Sequence, residues 1–439
     1  MNHKTKTMKK NLVMSFIMLI IFVSGSFIVR GESSQQLKNK EYAVVIEGYD
    51  WGPAVSKVIL PMGETVSEVN MNDFTISVER NSDCGELRSD TNGKRTVVHG
   101  YVSDEDGNIL DEGENVTLVM YVAPNLRIGH PYQSFRNETC EGVHWLDYKM
   151  TITNTKSGKV WNQEAKRIMP LVDEFDLSGK FTHGDITMSY ASFVPKTDNK
   201  KSPLFIWLHG GGEGGTDPII PLIGNKVTNY ASDEIQYYFD GAYILVPQCP
   251  TRWMDAGDGK TTRGEINDIY NEALMALFKK YVAENPGIDP NRIYVAGCSN
   301  GGYMTAKLLL LHPDYFAAGL ISSCSYRPAN LTEEQIESIK DVPIWFMHAA
   351  DDRTTVPEET GLPFYKRLKE AGAKNVHLSY YEHVVDVTGF YGGENYLYPG
   401  HWSWVYLHDN KCRNDLDGSP VEIDGRPVTI MEWTAAQSK

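Results

Sequence analysis

The chain has 439 residues, 41% of them hydrophobic, 11% aromatic and 23% charged. That length exceeds the roughly 100–200 residues of one ordinary domain, and the composition supports a sizeable core, which excludes a disordered chain, a collagen-like fibre and a coiled coil. Lys and Arg number 42 against 57 Asp and Glu, a formal charge of −15, so the surface repels phosphate backbones and nucleic acid is not expected as a partner.

Lys4, Lys6, Lys9 and Lys10 stand directly before an apolar run over 12–23, which is followed by Ser24-Gly25-Ser26. This is the order of a secretory signal peptide, expected over residues 1–30, and it predicts a secreted or cell-surface protein. An uncleaved membrane anchor is the alternative, because the apolar stretch reaching Val29 approaches the roughly 18 residues that a bilayer span needs. Removing residues 1–30 takes away five cations and no anions, leaving 37 cationic side chains against 57 anionic, a charge of −20. Six cysteines are too few for a disulfide-built scaffold. Cys84 and Cys140 fall in one predicted domain and are the expected pair; no C-x-x-C or Cys/His cluster suggests a zinc site.

Residues 38–165 read as all-β. Phe74, Ile76 and Val78 alternate with Thr75 and Ser77; Val116, Leu118, Met120 and Val122 keep period two, as do Tyr148, Met150 and Ile152. Turn formers over 104–108 separate apolar segments at 96–98 and 109–110, as in a hairpin. About seven short strands fit an immunoglobulin-like β-sandwich. Residues 166–439 form a second domain. A strand pair near 186–194 leads into apolar runs over 204–208, 242–246, 292–296, 317–321, 344–347 and 377–381, which read as buried parallel strands. A stripe from Ile266 and Ile269 through Tyr270, Ala273, Leu274, Leu277 and Phe278 to Tyr281 and Val282 predicts a helix over 266–282, ended by Asn285-Pro286-Gly287. Strands and helices in alternation predict an α/β domain with a mostly parallel sheet.

Gly297-Cys298-Ser299-Asn300-Gly301-Gly302 follows one predicted strand and precedes a predicted helix, the setting of a nucleophile elbow, with Ser299 as candidate nucleophile. A tight turn without chemistry is the alternative, and Cys298 reads as a packing residue. A serine hydroxyl needs a base and an orienting acid, which follow in the order Ser, Asp, His in this fold. The acid is Asp352 or its neighbour Asp351, past the strand at 344–347; Asp352 is preferred. The base is His401, in Gly400-His401-Trp402-Ser403-Trp404, with His383 as competitor. His209-Gly210-Gly211-Gly212 after the strand at 204–208 offers backbone donors for an oxyanion, one from Gly211 or Gly212 and the other from Asn300.

These motifs, together with Pro247-Gln248-Cys249-Pro250-Thr251, resemble bacterial α/β-hydrolase esterases with an immunoglobulin-like N-terminal domain, related to prolyl-oligopeptidase-like and polyhydroxyalkanoate-depolymerase-like groups. The resemblance implies an α/β-hydrolase fold and a Ser299, Asp352, His401 triad, although the loop over 352–357 has one residue more than the usual D-x-x-V-P. It also implies that the loop holding Trp253 borders the substrate; the alternative is that Trp253 only packs beneath it. The expected activity is that of a serine carboxylester hydrolase on neutral short-chain or aromatic acyl esters, small or polymeric, with no cofactor or metal and no membrane contact beyond an uncleaved anchor. A serine peptidase and a non-catalytic surface binding protein are the other readings. The N-terminal domain is expected to supply no triad residue and is the candidate surface for a homo-oligomer.

Overall fold

The computed structural model describes residues 37–138, 140–196 and 200–439; the predicted signal peptide lies outside them. Among the described residues no helix is long and apolar enough to cross a membrane.

The N-terminal part contains strands β1 (Glu41–Tyr49), β2 (Gly52–Val66), β3 (Phe74–Asn81), β4 (Asn92–Arg95), β5 (Val97–Ser103), β6 (Gly113–Met120), β7 (Tyr132–Arg136), β8 (Glu141–Trp145), β9 (Asp147–Asn154), β10 (Val160–Trp161) and β11 (Gln163–Ile168). Two sheets, ordered β11-β1-β2-β6-β5 and β10-β9-β3-β4, form the immunoglobulin-like sandwich. In β3 buried and exposed residues alternate strictly, because one face meets the core and the other meets water. The turn expected over 104–108 forms, but its return is short: Ile109 bridges Ser103 and the Leu110 amide donates to the Val102 carbonyl at 2.9 Å, while the main partner of β5 is β6. β7 and β8 pair with each other alone and stand outside both sheets.

The C-terminal part is built on an eight-stranded sheet of β12 (Asp176–His183), β13 (Ile186–Phe193), β14 (Ser202–Leu208), β15 (Tyr243–Gln248), β16 (Ile288–Cys298), β17 (Ala318–Ser322), β18 (Ile344–Ala349) and β19 (Val376–Tyr381). Their order is β12-β13-β15-β14-β16-β17-β18-β19, antiparallel at the β12-β13-β15 edge and parallel beyond it. Every residue of β14 is buried, as a strand covered on both faces must be. Its alternate residues feed two apolar clusters: Leu204, Ile206 and Leu208 one, Phe205 and Trp207 the other. The cluster holding Phe205 and Trp207 continues without a break into Val44, Ile46, Val58 and Leu60 of the sandwich. One apolar core therefore spans the two parts.

The helix expected over 266–282 begins only at Asn271 and runs to Glu284, leaving Ile266 and Ile269 exposed in the preceding loop. The cause is tertiary. The Asp268 carboxylate accepts hydrogen bonds from the hydroxyls of Tyr303, at 2.9 Å, and Thr262, and this buried network holds the segment off the helical path. The helix Asn300–Leu311 follows β16 directly, with Ser299 between them.

Candidate active site

The loops after β14, β16, β18 and β19 converge at the carboxyl ends of the parallel strands, where open α/β sheets gather their reactive groups. Ser299 stands between β16 and its helix at φ 54°, ψ −111°. A non-glycine residue in that region costs on the order of 1–3 kcal/mol and persists only when its surroundings impose it. Here they do: the Ser299 N–H donates to the Ser322 carbonyl at 2.9 Å and the Ser299 carbonyl accepts from Tyr303 N–H at 2.9 Å. Gly301 permits the tight approach, since a Cβ there would collide with the Leu208 and His209 carbonyls.

His401 lies in the short turn Gly400–Trp402, its carbonyl accepting from the Ser323 hydroxyl at 2.8 Å and its ring set edge-on to Trp404 at 5.3 Å. Nε2 is 2.9 Å from Ser299 Oγ and Nδ1 is 2.9 Å from Asp352 Oδ2. The carboxylate can only accept, so Nδ1 carries the proton and Nε2 is left to take one from the serine. Asp352 is 3% exposed. Its Oδ1 accepts from the amides of Thr354 (2.8 Å) and Thr355 (3.0 Å), and its Oδ2 also accepts from Thr355 Oγ1 (2.7 Å) and lies 3.1 Å from His348 Nε2. Burial by itself would raise its pKa; the hydrogen bonds from His348 and His401 outweigh that and hold the carboxyl far below the usual range. In the 352–357 loop both the amide and the hydroxyl of Thr355 reach this carboxylate.

The two competing residues are paired with each other. Asp351 Oδ2 lies 2.9 Å from His383 Nδ1, at the surface and apart from Ser299.

The glycine loop is tied down on both sides. His209 is buried and pushed down to about 4 by desolvation, so it is neutral; its Nε2 accepts from the Cys249 amide at 3.3 Å, which leaves Nδ1 to donate to the Gly210 carbonyl at 2.7 Å. The Gly210 amide donates to Glu213 Oε2 at 2.8 Å. The amides of Gly211 and Gly212 carry no intramolecular bond among the described residues. Asn300, packed against Gly211, opens its helix and so has no intrahelical acceptor for its own amide. The structure thus brings Gly211, Gly212 and Asn300 together beside Ser299.

Trp253 does not line a substrate surface. It is 0% exposed; its indole N–H donates to the His209 carbonyl at 3.0 Å, its ring lies 4.7 Å from that of His209, and its amide donates to Asn300 Oδ1 at 2.7 Å. Packing beneath the loop is the reading that holds, and it ties Trp253 to both the glycine loop and Asn300. Trp404 is buried as well, and Trp402 is half-buried.

Two features were not visible in the sequence. One is the β7–β8 hairpin, whose Val143 N–H donates to the Gly212 carbonyl at 2.9 Å, so the sandwich touches the glycine loop. The Cys84–Cys140 disulfide anchors the turn of this hairpin. The other is Glu213, buried behind the loop, whose carboxylate has, among the described residues, the Gly210 amide and the Asn225 side chain, at 2.8 Å each, as hydrogen-bond donors. Desolvation raises its pKa to about 8 against the partial relief of those two bonds. A carboxyl raised in this way binds more protons folded than unfolded, so stability falls as pH rises from about 4.5 to about 8 and levels off above. Glu213→Gln, which cannot ionise, is expected to flatten a decline in Tm on the order of several degrees across that window, as read by calorimetry at pH 5 to 9.

The comparisons with known proteins fit this geometry. The domain family "Esterase Ig-like N-terminal domain" matches residues 41–165, and the prolyl oligopeptidase family matches residues 250–328. A probable carboxylesterase SOBER1-like of Arabidopsis thaliana is 28% identical over 208 residues, covering 42% of this chain and 73% of that one. Feruloyl esterase B of Neurospora crassa is 30% identical over 128 residues, covering 29% of this chain and 41% of that one. The crystal structure of a thermostable esterase superposes with a TM-score of 0.71 at 22% identity, covering 91% of this chain and 100% of that one. The chain is a serine hydrolase of the α/β-hydrolase fold, similar to carboxylesterases and carrying an esterase-type immunoglobulin-like domain at its N-terminal side.

Proposed function

We propose that this chain is an exported carboxylester hydrolase that cleaves neutral short-chain or aromatic acyl esters through a Ser299, His401, Asp352 triad. The observation that carries the reading is the unbroken relay from Ser299 Oγ through His401 to Asp352 on a strained serine. Ser299 attacks the ester carbonyl while His401 Nε2 takes its proton. The amides of Asn300 and of Gly211 or Gly212 hold the oxyanion. His401 returns the proton to the leaving alcohol, and water, deprotonated by the same imidazole, releases the acid from the acyl-enzyme. Every proton in this scheme travels through His401, so no cofactor is called for. A mature charge of −20 disfavours anionic substrates, and the likeness to a feruloyl esterase favours aromatic acyl groups. A disulfide in a chain with a leader-like N-terminus supports export to an oxidising compartment.

The match of residues 250–328 to the prolyl oligopeptidase family favours a peptidase as the second reading. A panel of p-nitrophenyl esters, feruloyl esters and aminoacyl-proline amides separates the two. The expected result is kcat/KM at least tenfold higher for the neutral esters than for the amides; the reverse order would move the enzyme to the peptidases.

A further inference from the structure

The β7–β8 hairpin reaches the catalytic part as an isolated arm. The Cys84–Cys140 disulfide and a 2.8 Å hydrogen bond from Asn137 Nδ2 to the Cys84 carbonyl hold its turn. Trp145 Nε1 donates to Asp217 at 2.7 Å, and Val143 N–H donates to Gly212. Gly142, between Glu141 and Val143, has φ +93°, and a Cβ there would press on the Gly212 carbonyl at 3.0 Å, so the arm lies flat on the oxyanion loop. This contact sets Glu141 at the rim of a cavity of about 340 Å³ that opens beside Gly211.

The charges in that cavity balance across the two parts of the protein. Arg252 and Lys260 face Glu141 and Asp255. Asp255 is engaged locally by the Thr251 hydroxyl and the Gly257 amide, both at 2.7 Å, and Lys260 lies 3.4 Å from Asp258. Arg252 is different: among the described residues Glu141 is the sole carboxylate within ion-pair distance of it, at 2.8 Å. The loop carrying Arg252 also carries Trp253, whose amide is bonded to Asn300. Arg252 is therefore held close to the oxyanion pocket, and its charge is cancelled by a residue of the other domain.

We propose that Glu141 is a specificity-determining residue supplied by the immunoglobulin-like domain: by neutralising Arg252 it makes the cavity beside Gly211 accept an uncharged arm of the substrate and refuse a carboxylate-bearing one. This rests on the ester-hydrolase reading above and deepens it. Without Glu141 the Arg252 guanidinium keeps its 3.2 Å bond from Nη1 to the Thr261 hydroxyl but loses its counter-charge, and the freed Nη2 donor is suited to a substrate carboxylate such as that of a dicarboxylic acid monoester. Glu141 is 73% exposed in its side chain, so replacing it opens no buried hole, and an ion pair this exposed contributes little to folding.

The test uses the full chain as Glu141→Gln, Arg252→Gln and the double variant. Selectivity is read as kcat/KM for matched neutral and carboxylate-bearing esters, with the charge on the acyl arm in one pair and on the alcohol arm in another. It is read again as the inactivation rate by fluorophosphonates matched in the same way. In Glu141→Gln the ratio of anionic to neutral is expected to rise on the order of five- to tenfold, chiefly through KM, and the double variant is expected to lose that gain. An unchanged ratio on both arms, or a gain that survives in the double variant, overturns the proposal. If no ester is turned over yet the fluorophosphonate ratio shifts, the ester reading falls and this inference stands. If esters turn over and neither ratio moves, the inference alone falls.

Discussion

Ser299→Ala and His401→Ala, made in the full chain, are each expected to lower kcat by at least about a thousandfold with the fold intact, because the two act as one unit. The geometry makes this a sharp expectation. Ser299 Oγ has the imidazole Nε2 at 2.9 Å, and the backbone that presents it is held by the Ser322 and Tyr303 bonds whether or not the hydroxyl is there. Ser299→Ala therefore removes a reacting group and no support. Asp352→Asn is expected to be of the same order, about a thousandfold or more, and to cost stability as well. Its carboxylate is surrounded by donors from Thr354, Thr355 and His401, and an asparagine amide would turn a donor of its own against one of them. Asp351→Asn and His383→Ala serve as the comparison, since they form a surface pair with each other. Steady-state kinetics with a p-nitrophenyl ester, alongside thermal melts, decides the matter. Near-normal turnover in His401→Ala together with loss in His383→Ala would reassign the base.

How much of this site could be read from the chain follows from which features are local. The elbow was legible because strand, glycines and helix lie within one short run around Ser299, and backbone crowding at Gly301 leaves few other residues possible there. The parallel strands were legible because burial on both faces of a strand such as β14 demands an unbroken apolar run. The sequence favours Asp352 over Asp351, but the physical ground for that preference is not local. The choice depends on where the Thr355 hydroxyl and the His348 ring stand, and those come together only in three dimensions. The misplaced start of the helix at Asn271 has the same origin: Ile266 and Ile269 keep a helical period, but the Asp268 network with Tyr303 and Thr262 overrides it. Trp253 misled because an aromatic residue near a catalytic motif looks the same in sequence whether it faces substrate or sits beneath the loop. The β7–β8 arm was unreadable for a further reason. Its strands pair only with each other, and what fixes their position is a disulfide to Cys84 and bonds to Asp217 and Gly212, all distant in the chain.

The chain beginning at residue 166 is expected to lose its active serine. All three proposed triad residues lie after residue 200. The catalytic part nevertheless leans on the sandwich on two counts. The apolar cluster of Phe205, Trp207 and Tyr230 runs on into Val44, Ile46, Val58 and Leu60, so truncation bares a continuous face of large side chains, each worth about 1.5–3 kcal/mol when buried. The sandwich also braces the rims of the active site. Val143 holds Gly212 of the oxyanion loop, and Trp51 packs edge-on to Tyr391, at 6.2 Å between ring centres, in the segment that leads to His401. Between these contacts lies a buried ion cluster, Lys226 with Asp50 of the sandwich at 3.2 Å and with Asp409 at 2.5 Å. Removing Asp50 strips Lys226 of one of two carboxylates, and removing Trp51 leaves the approach to His401 without its packing partner. The measurement is titration of the active serine by a fluorophosphonate in fragment and full chain. The fragment is expected to be poorly soluble, and its soluble fraction to label on the order of a hundredfold more slowly or not at all, since an oxyanion donor that is not held in place costs about that much. A soluble fragment that labels at the full chain's rate would show that the sandwich is dispensable to the site, and would remove the ground on which Glu141 is assigned a part in specificity.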